Sequence, residues 1–149
     1  MLTRMKRFSL FILSRHFFVA ALLGLLGFHL IALSFHWYWI YRFALIDVIP
    51  HFLGGFVVAN FFYLFFMSSP SPRIFAPSIL IRGLLIFLFA LGVGVFWEFF
   101  EFLVDRCLVS LPSYRNQLGL TDTMKDLAVD AWGSLVFIGL YILAWRGRE

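Results

Sequence analysis

The chain has 149 residues, 62% of them hydrophobic and only 13% charged, with a mean hydropathy of +0.94. That balance excludes an ordinary soluble domain and fits one unit of bilayer-spanning helices. The net charge of +4 sits mainly in clusters at the chain ends instead of along a folded face, so nucleic acid is excluded as a partner, and the lone Cys107 rules out an intrachain disulfide.

Residues 1–16 carry Arg4, Lys6, Arg7 and Arg15 and read as basic and interfacial. Residues 17–35 follow without Asp, Glu, Lys or Arg. This run is too long for a typical signal-peptide core and no A-x-A-type cleavage site follows it, so it is expected to be a retained first span. His29 is its only ionisable group. Residues 36–47, HWYWIYRFALID, have the Trp- and Tyr-rich chemistry of a membrane–water interface.

A second span is predicted over residues 50–67, with Pro50 in its first turn and Gly54 and Gly55 allowing close helix approach. Residues 68–77, SSPSPRIFAP, form a Pro/Ser loop. The third span, residues 78–104, is longer than the hydrocarbon core requires, so its last two turns reach the headgroups. A polar loop at 105–120 leads to a fourth span over 121–145. The expectation is an all-α, polytopic membrane protein, with four transmembrane helices in one compact domain spanning residues 1–149.

Four spans bring both termini to one side. That side holds Arg4, Lys6, Arg7, Arg15, Arg73, Arg146 and Arg148, against Arg42, Arg106 and Arg115 opposite. The positive-inside rule therefore puts both termini in the cytoplasm. The start of the second span, the end of the third and the start of the fourth then all face outward, with His29 and His36 near them.

The acidic residues gather at those ends. Of eight in the chain, only Glu149 stands apart. Each of the others lies in or beside an apolar segment, where a carboxylate costs ~2.5–3.5 kcal/mol at mid-bilayer on insertion scales. Glu98, Glu101 and Asp105 stand at i, i+3 and i+7, one helical stripe. Asp122, Asp126 and Asp130 stand at i, i+4 and i+8, with Gly133 on the same stripe. Such stripes must hold protons, pair with Arg or Lys, or bind a cation. The available bases are Arg42, Arg106, Arg115, Lys125 and nearby histidines. Carboxylates with one imidazole also suit Mg²⁺, Mn²⁺ or Zn²⁺. The arrangement resembles di-metal carboxylate bundles, without their Glu-x-x-His signature.

Structural roles compete with these. Asp47 and Asp122 suit helix starts, Thr123 with Asp126 approximates a capping box, and His51 could donate to a carbonyl. Glu98, Glu101 and Asp105 lie where the helix dipole disfavours negative charge, so capping does not account for them. His29 and Asn60 read as packing or interhelical hydrogen-bonding residues. Asp47, His51, Glu98, Glu101 and Asp126 are expected to converge in one pocket.

The pieces D47-x-x-x-H51-F-x-x-G55-F, E98-x-x-E101 and D122-T-x-x-D126-x-x-x-x-x-x-G133 resemble the YjdF-like family of small bacterial inner-membrane proteins. They are similar, more loosely, to the VanZ-like family associated with glycopeptide resistance. The resemblance covers residues 47–135 and implies an inner-membrane location but no defined activity. Glu101 and Asp130 replace the usual Gln and Asn of the VanZ-like pattern, and Asp130 a small apolar residue of the YjdF-like one. The site is thus more acidic here.

Three functions are compatible with these residues. The first is a metal-dependent enzyme acting on a lipid-linked or cell-envelope substrate. In it His51, Glu98, Glu101 and Asp126 hold the metal, and catalysis rests on Glu98, Asp126 and Asp130. Asp47, Asp105, Asp122 and Gly133 complete the pocket. The second is proton- or cation-coupled transport, which favours an oligomer and is weakened by the scarcity of polar groups in the inner halves of the spans. The third is a non-catalytic module that binds a cation, a lipid headgroup or a partner subunit. The enzyme and the non-catalytic module are equally compatible with the sequence.

Overall fold

A computed structural model describes residues 11–34, 44–67, 78–107 and 118–146 of the chain. The described elements are all helices: α1 (Arg15–Ser34), α2 (Ala44–Phe62), which widens into a π turn at Tyr63–Met67, α3 (Ile79–Cys107) and α4 (Leu120–Arg146). Helices are what apolar sequence must form in lipid, because every backbone N–H and C=O has to be satisfied within its own segment. Among the described residues, three segments are long and apolar enough to cross a membrane: Asp47–Phe66, Ile79–Cys107 and Leu120–Trp145. The first helix contributes a shorter apolar stretch, Arg15–Phe28.

Polar residues fix where the helices begin. The Ser14 hydroxyl accepts the N–H of Phe17 (3.2 Å) ahead of α1, and the Ser78 hydroxyl accepts that of Ile81 (3.3 Å) ahead of α3. Helix α4 is launched by Gly119, whose φ of +121° suits only glycine and whose carbonyl receives the N–H groups of Asp122 and Thr123. Asp122 reaches back to accept the N–H of Leu118 (3.3 Å). Helix α4 starts at Leu120, which places Thr123 inside it instead of at its N-cap, the position the sequence suggests. Helix α2 also starts earlier than residue 50, which leaves Pro50 inside the helix, where its ring removes the bond to the carbonyl four residues back. Cys107 is the exposed last residue of α3, not a loop residue. The aromatic segment 36–43, the loop 68–77, most of the loop after α3, both basic termini and the His29 side chain lie outside the described residues.

Helix α2 is the hub, packed most extensively against α4 and also against α3 and α1, while α4 packs on α3 as well. Glycine sets the α2–α4 distance. A Cβ on Gly55 would run into the Asp130 carbonyl, and one on Gly133 into the Phe52 carbonyl. The two backbones touch reciprocally, which is how helices gain contact when lipid already solvates their apolar side chains. Helix α3 presents a narrow buried stripe of Gly83, Ile86, Ala90, Gly94 and Glu98.

On one side of this contact lies an aromatic core. Phe56 meets Phe137 edge-on with ring centroids 5.4 Å apart, and Tyr63 packs on Tyr141 at 5.1 Å. Asn60 is fully buried there, and its amide donates to the Ile12 carbonyl (2.6 Å), tying the segment before α1 to α2. That is the interhelical role expected of it. At the far end the Arg82 guanidinium stacks on Trp145.

The glycine contact generates a contrast. Gly55→Ala and Gly133→Ala are expected to lose about 3 kcal/mol or more, the upper range for overpacking. Gly24→Ala and Gly27→Ala, which have no atom within 4 Å of the added carbon, should be neutral or gain up to ~1 kcal/mol of helix propensity. Thermal unfolding of purified protein in detergent reads both; equal effects at the two pairs would refute the contact.

Candidate metal centre

Beyond the Gly55–Gly133 contact, at the end of the bundle away from Arg82 and Trp145, the polar side chains of α2 and α4 face one another. Asp47 lies in the first turn of α2 and His51 one turn further on, so both project from one side of the helix. Asp122, Asp126 and Asp130 recur at each turn of α4 and meet them. His51, Asp126 and Asp130 are buried, Asp126 to 2% exposure.

The imidazole is the centre of this arrangement. Its Nε2 lies 3.7 Å from Asp47 Oδ1 and 3.9 Å from Asp126 Oδ2, while Nδ1 lies 3.6 Å from Asp130 Oδ1. These are ion-pair separations, longer than hydrogen bonds. One ring nitrogen therefore looks toward a pair of carboxylates and the other toward a third.

Lys125 closes the other side. Its ammonium donates to Asp122 Oδ1 (2.7 Å) and Asp47 Oδ2 (3.1 Å) and approaches Asp126 Oδ1 (3.3 Å). Asp47 and Asp126 thus turn one oxygen to His51 and the other to Lys125. Burial is graded: the Lys125 side chain is 30% exposed and that of Asp126 only 3%, so the cluster opens past the lysine. Asp126 Oδ1 is buried and makes no hydrogen bond among the described residues. In all, four aspartates face one ammonium and one imidazole.

Glycine also makes room for the deepest acid. Asp130 rests its Oδ2 where a Cβ of Gly94 on α3 would stand (2.6 Å), and its Oδ1 over Gly54 on α2 (3.8 Å). Helix α3 therefore makes room for the deepest acid through the missing side chain of Gly94. Sequence spacing pointed to the aspartates and His51 but missed Gly94, although Gly94 stands one turn from Glu98 on the same stripe.

Of the ligand set expected from sequence, His51 and Asp126 come together with Asp47: one donor atom from each falls within 4.8 Å of the others. Glu98 and Glu101 stand outside that group. Glu98 is buried at the end of the α3 stripe. Glu101 is half-buried, accepts the Trp97 indole N–H (2.9 Å) and lies in the electrostatic field of Glu98, His51 and Asp47. Asp105, two turns on from Glu98, is half-buried.

The Asp130 cradle is testable by a double-mutant cycle. Gly94→Ala is expected to cost about 1–3 kcal/mol by displacing the carboxylate. In an Asp130→Ala background the same change should cost less, with a coupling of at least about 0.5 kcal/mol. Additive unfolding free energies would show that Gly94 serves some other contact.

The geometry can now be set beside known proteins. A family described as "Predicted membrane protein (DUF2238)" matches residues 2–147. An uncharacterized protein of Thermotoga maritima is 38% identical over 104 residues, an alignment covering 68% of this chain and 50% of that relative. The chain thus matches about half the length of that relative. No solved structure matches it. With nearly its whole length covered, the chain belongs to the DUF2238 family of predicted membrane proteins.

Proposed function

We propose that this YjdF-like chain is a metal-dependent inner-membrane protein that holds a divalent cation between α2 and α4. The ligands are Asp47, His51 through Nε2, and Asp126. The observation that carries this reading is the convergence of one donor atom each from Asp47, His51 and Asp126 within 4.8 Å of one another, with Asp47 Oδ1 and Asp126 Oδ2 both turned toward His51 Nε2 and Asp126 almost wholly buried. A buried carboxylate is costly unless paired, and one lysine shared among three carboxylates leaves the site short of positive charge. Two oxygens and one imidazole nitrogen suit Zn²⁺ or Mn²⁺ better than Mg²⁺.

Three protein donors leave coordination positions open, the pattern of catalytic more than structural zinc. The cation would supply Lewis acidity toward a phosphoryl or acyl group of a lipid-linked or cell-envelope substrate. Asp130, on the Nδ1 side, fixes the imidazole as carboxylates behind metal-binding histidines do. By the distribution of positive charge the site faces the outer leaflet and both termini the cytoplasm. The VanZ-like likeness rests on the motif residues alone. Transport is disfavoured by the scarcity of polar groups in the inner halves of the spans, where Asn60 stands about midway along its span.

A second reading is non-catalytic, with Lys125 as the permanent counter-ion of a structural ion-pair network; its three contacts at 2.7–3.3 Å favour it. Metal analysis by mass spectrometry of detergent-purified protein decides between them. The expected result is one divalent ion per chain, lost in Asp126→Asn and His51→Gln and retained in Asp105→Asn. Glu98→Gln should also retain it, and Asp130→Asn should weaken affinity by ~10–100-fold. A metal content equally low in wild type and Asp126→Asn would leave the lysine network as the function of the cluster.

A further inference from the structure

On its other flank α2 faces α1, and there the two helices leave a gap. A cleft of about 260 Å³ runs between Ala21, Gly24 and Phe28 of α1 and Pro50, Leu53 and Val57 of α2. Every residue lining it is apolar. Gly24 keeps it wide, since no atom lies within 4 Å of the Cβ that glycine lacks. Pro50 is buried in its wall while Leu53 is 42% exposed, so the cleft is open toward the surrounding lipid. An apolar lining offers water no hydrogen bonds. A transmembrane helix lying along residues 49–57 would fill about 1,000 Å³ or more, so the cleft takes a narrower occupant. A single hydrocarbon chain satisfies both limits. In lipid its gain is not hydrophobic but one of packing, because a wall without neighbours forfeits its dispersion contacts.

The cleft adjoins the polar cluster along the surface of α2. Asp47 in the first turn and Pro50 in the cleft wall are i, i+3 neighbours. Gly54 stands four residues from Pro50 and three from His51, so the position between them on the helix surface carries no side chain. We propose that the cleft seats one hydrocarbon chain of an outer-leaflet lipid and presents that lipid's headgroup to Asp47 and His51, so that the substrate of the metal site is a membrane lipid held by its chain. The inference rests on the metal reading and adds the substrate class to it. A soluble molecule of the cell envelope gains nothing from the cleft. A lipid gains position: with its chain lodged beside α1, its headgroup lies over the first turn of α2.

The test uses the full chain in phosphatidylcholine nanodiscs with two trace probes. One is phosphatidylcholine with a diazirine on an acyl chain, the other phosphatidylcholine with a nitroxide on its headgroup. Photolysis and peptide mass spectrometry are expected to find the cleft walls labelled more heavily than the exposed α3 face around Leu84 and Leu88. Gly24→Leu and Leu53→Trp, which fill the cleft from opposite walls, should each lower cleft labelling about tenfold, the effect of about 1.4 kcal/mol of lost packing. Gly27→Leu, equally uncrowded but outside the cleft, should leave it unchanged. Mn²⁺ bound to wild type is expected to broaden the electron paramagnetic resonance signal of the headgroup nitroxide. That broadening should be lost in Gly24→Leu although Mn²⁺ still binds. If cleft and α3 label alike, or if the broadening persists in Gly24→Leu, the proposal falls while the metal site stands. An unlabelled cleft in a dimer that Gly24→Leu dissociates would assign it to a second copy and overturn the proposal as well. If wild type binds no more Mn²⁺ than Asp126→Asn, the metal reading falls and the substrate role falls with it, whatever labels the cleft.

Discussion

Everything at the polar end depends on how closely α2 and α4 approach. The Gly55 and Gly133 contacts are reciprocal, each glycine facing a carbonyl of the opposite helix. His51 stands one turn from Gly55, and Asp130 three residues from Gly133. The point of closest backbone contact therefore lies about one turn from the point where imidazole meets carboxylate. In water such a contact could be replaced by larger apolar side chains packed at a wider spacing. In lipid, apolar side chains gain little by meeting one another, so small residues and polar groups must hold the pair. The glycines and the charge cluster then stabilise the same crossing from adjacent levels.

The carboxylates differ in how they are accommodated, and burial orders them. Asp122 and Asp47 sit in first turns, where the helix dipole favours negative charge. Asp130 lies two turns further along α4 and has no such help. It is lodged instead among Gly54, Gly94 and His51, where two missing side chains make space and a ring nitrogen provides the partner. Asp126 lies between these extremes and is the most buried of the four. A deep acid with a glycine cradle and an intermediate acid with one unbonded oxygen call for different explanations. The first is positioned by the fold; the second lies between the Lys125 ammonium and the His51 imidazole.

Much of this was legible in the sequence, because helical periodicity converts directly into faces. The spacing of four from Asp47 to His51 and along Asp122, Asp126 and Asp130 fixes which side chains share a surface, whatever the loops do. Gly54 and Gly55 are readable as approach points from their size, and Gly133 only as a member of the Asp122–Asp126–Asp130 stripe. Partner identity across helices was less readable. Glu98 and Glu101 lie on neighbouring positions of α3, yet neither falls in the donor group of Asp47, His51 and Asp126, although Glu98 shares the buried stripe of Gly94. Nothing in a one-dimensional pattern sets how far along α3 the opposing side chains of α2 and α4 reach. The start of α2 is not legible because residues 44–49, ALIDVI, run on without a break from the aromatic stretch before them, and Pro50 reads as a first-turn residue. Lys125 was visible only as one of several bases; its reach to three carboxylates follows from its place between Asp122 and Asp126 on a helix that faces Asp47.

The lysine gives the cluster a direction. Were His51 and Lys125 to contact the same oxygens of Asp47 and Asp126, a cation could enter only by expelling one of them. They contact opposite oxygens, so the carboxylates bridge a solvent-facing ammonium and a buried imidazole. A charge added on the histidine side is felt on the lysine side through the shared anions, without any helix having to move. Coupling carried by shared carboxylates requires only that one side chain be free to turn. Among the charged side chains of the cluster, Lys125 is the most exposed and, as a four-carbon flexible stem, the best able to do so.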